Sequence, residues 1–466
     1  MSFNASRLIA ILAVTVTVAM ARAEDAPLQP TLPAKPIPFV EDKDMPPRPA
    51  PIELGDPFQG TGKVETGISI PTGTVWNPSL YIYGEVRSGF QTSQGQTGPA
   101  TADWSNKADV FANLHITDTE RILWQVEPIS KNLTDYSGYV FEGPQKGGHL
   151  KNELYTKSLF FEGETSNLIP DLGSTPLDLG IAVGRQQICF QDGFLICDYL
   201  DSLGLTKTTV ALPGVSNLRI TTLVAWDQIH RGGDNLYEHQ GKLYALDTEA
   251  DIAHTTFEAD VTVVEASRDP IRGFSGGGVF AGIGATQRYG LYDTVFRVLT
   301  SRALDGQGPD VNNGTLLTAQ FATHPTKPLG TPNDLVYLNT YWAIGKFTSA
   351  ARDPTALGPL NSIGMLFTAP ALGNYGVPLN NYAWESYGGA LGYQWFLDGV
   401  RTQLTGEIGF RQDTTSDLKS SGAGVAARLA RKMWQQVWAR IEVYGTRYEA
   451  NDRFGYGLRT EFTYQF

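Results

Sequence analysis

The sequence predicts an all-β protein: a single transmembrane antiparallel β-barrel of about 16 to 18 strands, preceded by a disordered Pro-rich N-terminal tail. Three observations lead to this prediction: strict alternation in the last strand, an export signal at the N-terminus, and alternating segments between them. We divide the chain into a signal peptide at 1–23, a Pro-rich periplasmic tail at 24–70 and a barrel at 71–466.

The last strand alternates aromatic or apolar residues with polar ones. The apolar set is Tyr456, Leu458, Thr460, Phe462, Tyr464 and Phe466. A period of two puts this set on one face, which suits lipid, and the polar residues on the other, which suits water. The pattern resembles the closing strand and assembly signal of bacterial outer-membrane β-barrels. That resemblance implies that Phe462, Tyr464 and Phe466 contact the barrel-assembly machinery; a soluble sandwich strand is the alternative.

The N-terminus has the pattern of a cleaved secretory signal. Arg7 precedes an apolar run at 8–20, and Ala21-Arg22-Ala23 is a small-x-small cleavage site. No later apolar run reaches the roughly 18 residues that a transmembrane helix needs. A membrane protein without such helices must be a closed barrel, because only helices and closed barrels satisfy the backbone in lipid. We therefore expect export to the bacterial outer membrane.

The composition agrees with a barrel that has one apolar face per strand. Hydrophobic residues make up 41% of the chain, yet the mean hydropathy is only -0.19. The net charge of -12 argues against a nucleic-acid partner. The Pro-rich tail favours extended conformations and is either a spacer or a docking segment for a periplasmic partner.

Alternation between apolar and polar residues recurs from about residue 79 onward and predicts the barrel strands, including one near 361–369. Asp398-Gly399 predicts a tight hairpin turn at the rim that carries the C-terminus. Longer segments at 128–151 and 301–313 are predicted to be outer loops. A barrel of this size is wide enough for an aqueous channel.

Charged residues share the polar face of these segments and are predicted to line the pore. The arginines are Arg87, Arg121, Arg219, Arg297, Arg401, Arg428, Arg440 and Arg459, and Glu407 and Glu442 lie among them. Some of these side chains will pair across neighbouring strands and brace the wall. As a set, arginines lower the entry barrier for anions and hold carboxylates by charge-assisted hydrogen bonds.

One segment, Leu179 to Thr208, contains Gly184-Arg185-Gln186, then Asp192-Gly193 and further aspartates. It resembles the alginate-export family of outer-membrane barrels. The resemblance implies 18 strands, an arginine-lined pore for an anionic polysaccharide, and Arg185 as a constriction residue. Cys189 and Cys197 lie in the same segment, where a disulfide and two free thiols both fit.

We therefore expect a passive outer-membrane channel for hydrophilic solutes, with an anionic sugar or polysaccharide such as alginate as the first substrate. The alternatives are a general diffusion porin and a non-transporting barrel, such as an adhesin, an anchor or a rim hydrolase using His230, Asp227 and Asp234. We expect no enzyme activity and no cofactor. The G-x-S-x-G match at 273–277 precedes Gly and β-type residues rather than a helix, and the histidines form no zinc spacing.

Overall fold

The structure, a computed structural model, describes residues 51–54 and 67–466 apart from several short gaps. The gaps are 118, 130–136, 145, 151–153, 174, 233–235, 239, 270–274, 309, 326–332, 371, 399–400 and 451. The predicted signal peptide and most of the predicted tail lie outside the described residues. Within the described residues, no helix is both long enough and apolar enough to cross a membrane.

Eighteen antiparallel strands form one closed barrel, which confirms the predicted fold class. Each strand pairs with the next in sequence, and the last pairs with the first from Tyr456↔Gln94 to Gln465↔Glu85. The strands are β1 (Ser79–Gln94), β2 (Thr101–His115), β3 (Arg121–Glu127), β4 (Tyr155–Glu164), β5 (Gly180–Phe190), β6 (Ile196–Lys207), β7 (Asn217–Asp227), β8 (Lys242–Ile252), β9 (Thr255–Glu265), β10 (Gly278–Tyr289), β11 (Tyr292–Ala303), β12 (Gly314–Thr323), β13 (Leu335–Lys346), β14 (Trp384–Leu397), β15 (Thr402–Asp413), β16 (Gly422–Lys432), β17 (Val437–Tyr448) and β18 (Phe454–Gln465).

Short elements connect or extend these strands. The short strands are Ile52–Leu54, Ile68–Ser69, Val75–Trp76, Ser137–Glu142, Gly147–His149, Ile229–Arg231, Leu236–Glu238 and Ala351–Arg352. The helical elements are α1 (Thr165–Leu168) and the 3-10 turns Pro170–Leu172, Gln191–Gly193, Pro354–Ala356, Pro359–Ser362 and Met365–Phe367.

The alternating sequence pattern sets the two faces of the barrel. In β18, Leu458 and Phe462 are exposed on the outer face, whereas Arg459 and Glu461 are 1% exposed on the inner face. The same division holds on β9, where Val261 is exposed and its neighbours are buried. Because the outer face is apolar and the inner face polar, this wall suits lipid outside and water within.

The tail contributes more structure than the sequence predicts. Ile52–Leu54 pairs with Leu80–Ile82 of β1. β18 ends at Gln465, and Phe466 after it exchanges two backbone hydrogen bonds of 3.0 Å with Gly84 of β1. The short strand therefore continues the pairing of the β1 edge beyond the C-terminus. An edge left unpaired would present unsatisfied backbone groups, and this explains why a Pro-rich segment can still add a strand there.

The two rims differ in the length of their connections. At the rim where β18 ends, β8 and β9 are joined by Ala253 and His254 alone. The opposite rim carries a connection at 347–383, between β13 and β14, which we call the lumen loop. The strand predicted near 361–369 is wrong: this part of the lumen loop forms 3-10 turns, and Leu366 and Phe367 are fully buried. Its apolar residues pack inside the barrel, and their spacing along the sequence resembles that of a strand.

An apolar cluster fills part of the barrel interior near the lumen loop. Leu360, Leu366 and Phe367 of the loop join Leu299 of β11 and Leu316 of β12, and all five are fully buried. Burying these side chains stabilises the loop within the barrel, because apolar surface is removed from water. The interior is therefore narrower than the barrel wall alone would make it.

Gly457 provides a test of packing between the wall and the lumen loop. It is opposite Tyr444, whose ring meets the ring of Tyr375 from the loop edge-on at 5.5 Å. A Cβ at Gly457 would overlap the Tyr444 ring, so we expect Gly457→Val to lower the free energy of unfolding by about 1–3 kcal/mol. Urea titration measures this change, with the folded fraction read from the difference in electrophoretic mobility between folded and unfolded barrel. Gly406→Val is the control, since its nearest neighbour, Trp395, is at an ordinary 3.6 Å; equal unfolding midpoints for the two variants would contradict the prediction.

Candidate functional site

Four arginines on adjacent strands form one side of the barrel interior, which we call the basic wall. They are Arg87 on β1, Arg428 on β16, Arg440 on β17 and Arg459 on β18. The register places Glu442 between Arg428 and Arg459, and Glu461 opposite Arg440. Alternating guanidinium and carboxylate groups across three strands lower the cost of holding so many charges in the interior.

The contacts of the basic wall centre on Glu461. Arg87 Nε lies 3.0 Å from Glu461 Oε1, Arg440 Nη1 lies 3.8 Å away, and Arg459 donates to Oε2. Arg428 pairs separately with Glu442, 2.6 Å apart. Nε of Arg440 and Nε of Arg459 are buried without a hydrogen-bond partner among the described residues. Because protein covers both Nε atoms, a solute in the interior reaches Arg440 through the rest of its side chain, 41% of which is exposed.

A cavity of about 440 Å³ opens beside the basic wall. Arg87, Arg440 and Glu461 line it, together with Glu85 and Trp438. Arg87 and Arg440 are balanced by Glu85 and Glu461 in this lining. With Arg428, Arg459 and Glu442 of the surrounding wall, the set holds four guanidinium and three carboxylate groups, an excess of one positive charge at neutral pH. The cavity therefore offers hydrogen-bond donors and acceptors to a solute, and the excess positive charge lies in the basic wall around it.

The opposite side of the interior carries paired carboxylates, which we call the acidic wall. Asp247 of β8 is directly opposite Asp260 of β9, and Glu249 is opposite Glu258. β17 follows β8 by nine positions in a closed order of eighteen strands, so the acidic and basic walls face each other across the barrel. Like charges directly opposite each other destabilise a sheet, and cations from neighbouring strands offset this in part. Arg219 lies 2.5 Å from Glu249, and Arg297 lies 3.8 Å from Glu258.

The lumen loop is fixed to the wall through the buried carboxylate of Glu407. Its two oxygens accept hydrogen bonds from the backbone N–H groups of Met365, at 2.9 Å, and Leu366, at 2.8 Å. The hydroxyl of Tyr337 donates to the same carboxylate. A Cβ at Gly364 would overlap this carboxylate, so glycine is required for the close approach.

Further contacts carry the lumen loop across to the basic wall. Gln91 Nε2 of β1 donates to the carbonyl of Leu372 at 2.7 Å, and Arg87 Nη2 donates to that of Pro370 at 3.2 Å. Tyr448 of β17 donates to the carbonyl of Pro378 at 2.6 Å. The loop therefore spans the interior, from the β13–β15 side to β17 and β1, and narrows the passage.

A second element, residues 190–196 between β5 and β6, also points into the interior, and we call it the inward tip. Gln191 donates to Asp260 of the acidic wall, and Asp192 lies 2.5 Å from Arg297. Gly282 of β10 leaves room for the Gln191 side chain. Just outside the tip, a disulfide joins Cys189 and Cys197 across β5 and β6. The tip thus extends from one part of the wall to another and narrows the interior on the acidic side.

The lumen loop packs against the inward tip. Ala350 N–H donates to the carbonyl of Leu195 at 2.8 Å, and Ser349 Oγ donates to that of Phe194 at 2.7 Å. Ala351 continues the contact as a parallel partner of Ile196. The two constricting elements therefore support each other.

Most of the charged residues predicted to line the pore lie on the inner face of their strands. These are Arg87, Arg121, Arg219, Arg297, Arg428, Arg440, Arg459, Glu407 and Glu442. Arg401 lies in the turn before β15 and is exposed at the rim. Glu407, although on the inner face, is 3% exposed and holds the lumen loop instead of facing an open passage.

Arg185 lies on the outer face of β5, not in the interior. Its register partner Leu159 is 47% exposed, and Val183, two residues earlier, is 40% exposed. Arg185 holds Asp201 through two hydrogen bonds of 2.7 and 2.9 Å and donates to the carbonyl of Thr156. The guanidinium thus ties β4 to β6 where the pairing of β4 with β5 ends. Its geometry fits a brace between strands, whereas a role as pore constriction would need the opposite face.

The loop residues considered for a rim hydrolase do not form a catalytic triad in the part of the chain that the structure describes. His230 Nδ1 lies 3.0 Å from Asp198, whereas Asp227 accepts a hydrogen bond from Tyr237. Asp234 lies outside the described residues, as do two residues of the G-x-S-x-G match. Ser275 of that match donates to Asp310, and β10 follows it rather than a helix.

Asp353 fixes the beginning of the lumen loop to the wall. Its carboxylate lies 2.5 Å from the ammonium group of Lys157, and both side chains are about nine-tenths buried. Burial alone would raise the pKa of Asp353, but the charge of Lys157 and hydrogen bonds from Lys157 and Thr355 outweigh it and lower the pKa below its usual value. The ion pair therefore persists at moderately acidic pH.

We expect Asp353→Asn to lower the free energy of unfolding at pH 7 by about 3 kcal/mol, because Lys157 keeps its charge and loses its partner. A depressed carboxyl pKa contributes stability above the unfolded value of about 3.9, and this is lost as the pH falls through the folded pKa. The difference between wild type and variant should therefore shrink below about pH 4. Urea unfolding from pH 7 to pH 2.5 measures it. Asp452→Asn, in an exposed pair with Arg447, should have little effect at any pH; equal effects would contradict this role.

Three solved structures have the same barrel fold. A BenF-like porin from Pseudomonas fluorescens Pf-5 is 9% identical, covers 83% of this chain and 98% of its own, and has a TM-score of 0.56. OccK1 (OpdK) of Pseudomonas aeruginosa has 10% identity and a TM-score of 0.53, and OccAB2 of Acinetobacter baumannii has 12% and 0.52, with the same coverage. At these identities the likeness establishes the fold alone. No protein-family model and no curated protein matches the chain.

The fold class that the chain shares with these proteins is the eighteen-stranded barrel of outer-membrane porins. These structures do not show membership of the alginate-export family that the segment at 179–208 resembles. The residues of the interior therefore provide the evidence on the substrate.

Proposed function

We propose that the protein is a passive outer-membrane channel for small hydrophilic solutes, and that anionic sugars such as uronates are its preferred substrates. The observation that carries this proposal is the basic wall beside a cavity of about 440 Å³ in a barrel narrowed by the lumen loop. The guanidinium group of Arg440, whose side chain is 41% exposed, supplies donors for a carboxylate.

The narrowed interior favours single sugars or short oligomers over a long polysaccharide. The lumen loop contacts both β15 and β1, and the inward tip takes up further space on the acidic side. A flexible polymer would have to pass both elements at once, whereas a small solute passes them in turn. One similar solved structure, the Pseudomonas aeruginosa protein OpdK, was determined with vanillate, a small aromatic carboxylate.

A second candidate function, a barrel that does not transport, is favoured by the same constriction. The lumen loop and the inward tip share buried apolar residues, including Phe194, Leu195 and Leu360. If these elements close the passage completely, the basic wall serves only to hold the loop through Arg87.

Single-channel recording of the refolded mature chain under a salt gradient distinguishes these functions. We expect anion-selective current steps that are blocked by added glucuronate and much less by a long alginate chain. Equal blocking by polymer would favour the polysaccharide channel of the alginate-export resemblance. Steps without ion selectivity would favour a general diffusion porin, and a correctly folded but silent barrel would favour the non-transporting alternative.

A further inference from the structure

A separate cavity of about 530 Å³ opens into the interior beneath the inward tip, on the wall formed by β3 to β7. It shares no lining residue with the cavity beside the basic wall. Its volume falls in the range of about 300–1,000 Å³ that is typical of small-molecule sites. The question is which solute its lining would hold.

The upper part of this cavity is apolar. Ile188 and Phe190, next to and within the inward tip, line it together with Leu223 of β7. All three belong to or pack against the apolar cluster of the interior, so their positions are fixed. Gly204 and Ala182 keep the space in front of them open, because neither carries a long side chain.

The remaining lining is polar, with Arg121 among the carboxylates of Glu162 and Glu164. Gln186 donates to Ser202 through Nε2, which orients its amide, and Thr206 and Thr221 lie 3.1 Å apart. Arg121 Nε lies 2.5 Å from Glu162, and both side chains are about one-third exposed. A balanced ion pair of this kind offers donors and acceptors side by side without the excess positive charge that selects an anion.

We propose that this cavity is a binding site for the ring of a neutral pyranose sugar. The inference deepens the proposed function, on which it rests: the basic wall would select the carboxylate, and this second site would select the sugar ring. A pyranose has an apolar face of C–H groups and a rim of hydroxyl groups. Ile188, Phe190 and Leu223 match the face, while Gln186 and the pair of Arg121 and Glu162 match the hydroxyl groups.

Gly204→Leu is the most direct variant, because it fills the cavity without disturbing the strand. The nearest atoms to a Cβ there are Leu223 Cδ1 at 3.8 Å and two others at 4.0 Å, which are ordinary contacts. Gly406→Leu is the matched control, since Gly406 lines neither cavity and the nearest atom to a Cβ there is at an ordinary 3.6 Å. Gln186→Ala removes one polar group and serves as the second variant if Gly204→Leu does not fold.

The test is calorimetric titration of the full mature chain, refolded in detergent, with methyl glucoside and with the open-chain polyol sorbitol. We expect saturable binding of methyl glucoside and none of sorbitol. Gly204→Leu should weaken that binding about tenfold or more, Gln186→Ala about fivefold, and Gly406→Leu by less than about twofold. The proposal would be overturned if the wild type did not bind methyl glucoside, if sorbitol bound equally well, or if Gly204→Leu and Gly406→Leu weakened binding equally.

Conductance measured in salt alone tests the proposed channel function independently of sugar binding. A barrel that binds methyl glucoside but carries no current would retain the sugar site and refute the channel. A barrel that conducts anions but binds no methyl glucoside would retain the channel and refute the sugar site. Binding is measured at equilibrium and does not require conduction.

Discussion

Glu407→Ala is expected to release the lumen loop and to give a channel with higher and noisier single-channel conductance. The variant removes the acceptor for the backbone N–H groups of Met365 and Leu366 and for the hydroxyl of Tyr337. Hydrogen bonds to a charged group contribute about 1.5–3 kcal/mol each. A loss of about 3 kcal/mol in loop docking raises the population of released loop by about a hundredfold.

The control variants separate loop release from a simple change of charge. Glu442→Ala also removes an inner-face carboxylate, but that carboxylate forms its ion pair with Arg428 of the wall, not with the lumen loop. It should therefore alter ion selectivity without the increase in conductance. Glu407→Gln keeps one acceptor oxygen and should lie between wild type and Glu407→Ala. Limited proteolysis within 347–383 provides a readout independent of current. Unchanged cleavage and conductance in Glu407→Ala would show that other contacts suffice to hold the loop.

The inner-face arginines could be predicted from sequence because alternation in a strand is a local property. A period of two follows from backbone geometry, so the parity of Arg428, Arg440 and Arg459 within their strands fixes the face. The same rule applies to Arg185, which shares the parity of the exposed Val183. The family resemblance assigns Arg185 to the pore, whereas its parity places it on the outer face, where the structure has it.

The lumen loop could not be predicted in the same way, because distant residues determine its path. Glu407 binds Met365 across 42 residues, and Gln91 binds Leu372 across 281. Nothing in the apolar pattern of 361–369 distinguishes a strand facing lipid from a loop packed inside a barrel. Gly364 is a signal that could have been noticed, but its meaning depends on the nearby Glu407 carboxylate. The acidic wall is also hard to predict from sequence, because it forms only when β8 and β9 align Asp247 with Asp260.

In the proposed channel, replacing Arg87, Arg428 and Arg440 together with Gln is expected to reverse the ion selectivity from anions to cations. The basic wall with Glu85 holds four guanidinium groups against three carboxylates, and the variant holds one against three. The local charge therefore changes from one positive to two negative. One unit charge at 4 Å in water is worth about 1 kcal/mol, so each substitution should change the ratio of anion to cation permeability by about fivefold. The reversal potential in a potassium chloride gradient measures this ratio.

Arg431→Gln is the matched control for the basic wall, because Arg431 lies on β16 with Arg428 but on the opposite face. Its side chain is 54% exposed and pairs with Asp398 at the rim, so its loss should leave the reversal potential unchanged. Arg440→Gln alone should fold most readily, since Arg440 contacts Glu461 only at 3.8 Å. If the triple variant folds and its reversal potential matches that of wild type, ions do not pass along the basic wall. The acidic wall around Asp260 would then be the surface that faces the passage, and its carboxylates would favour cations.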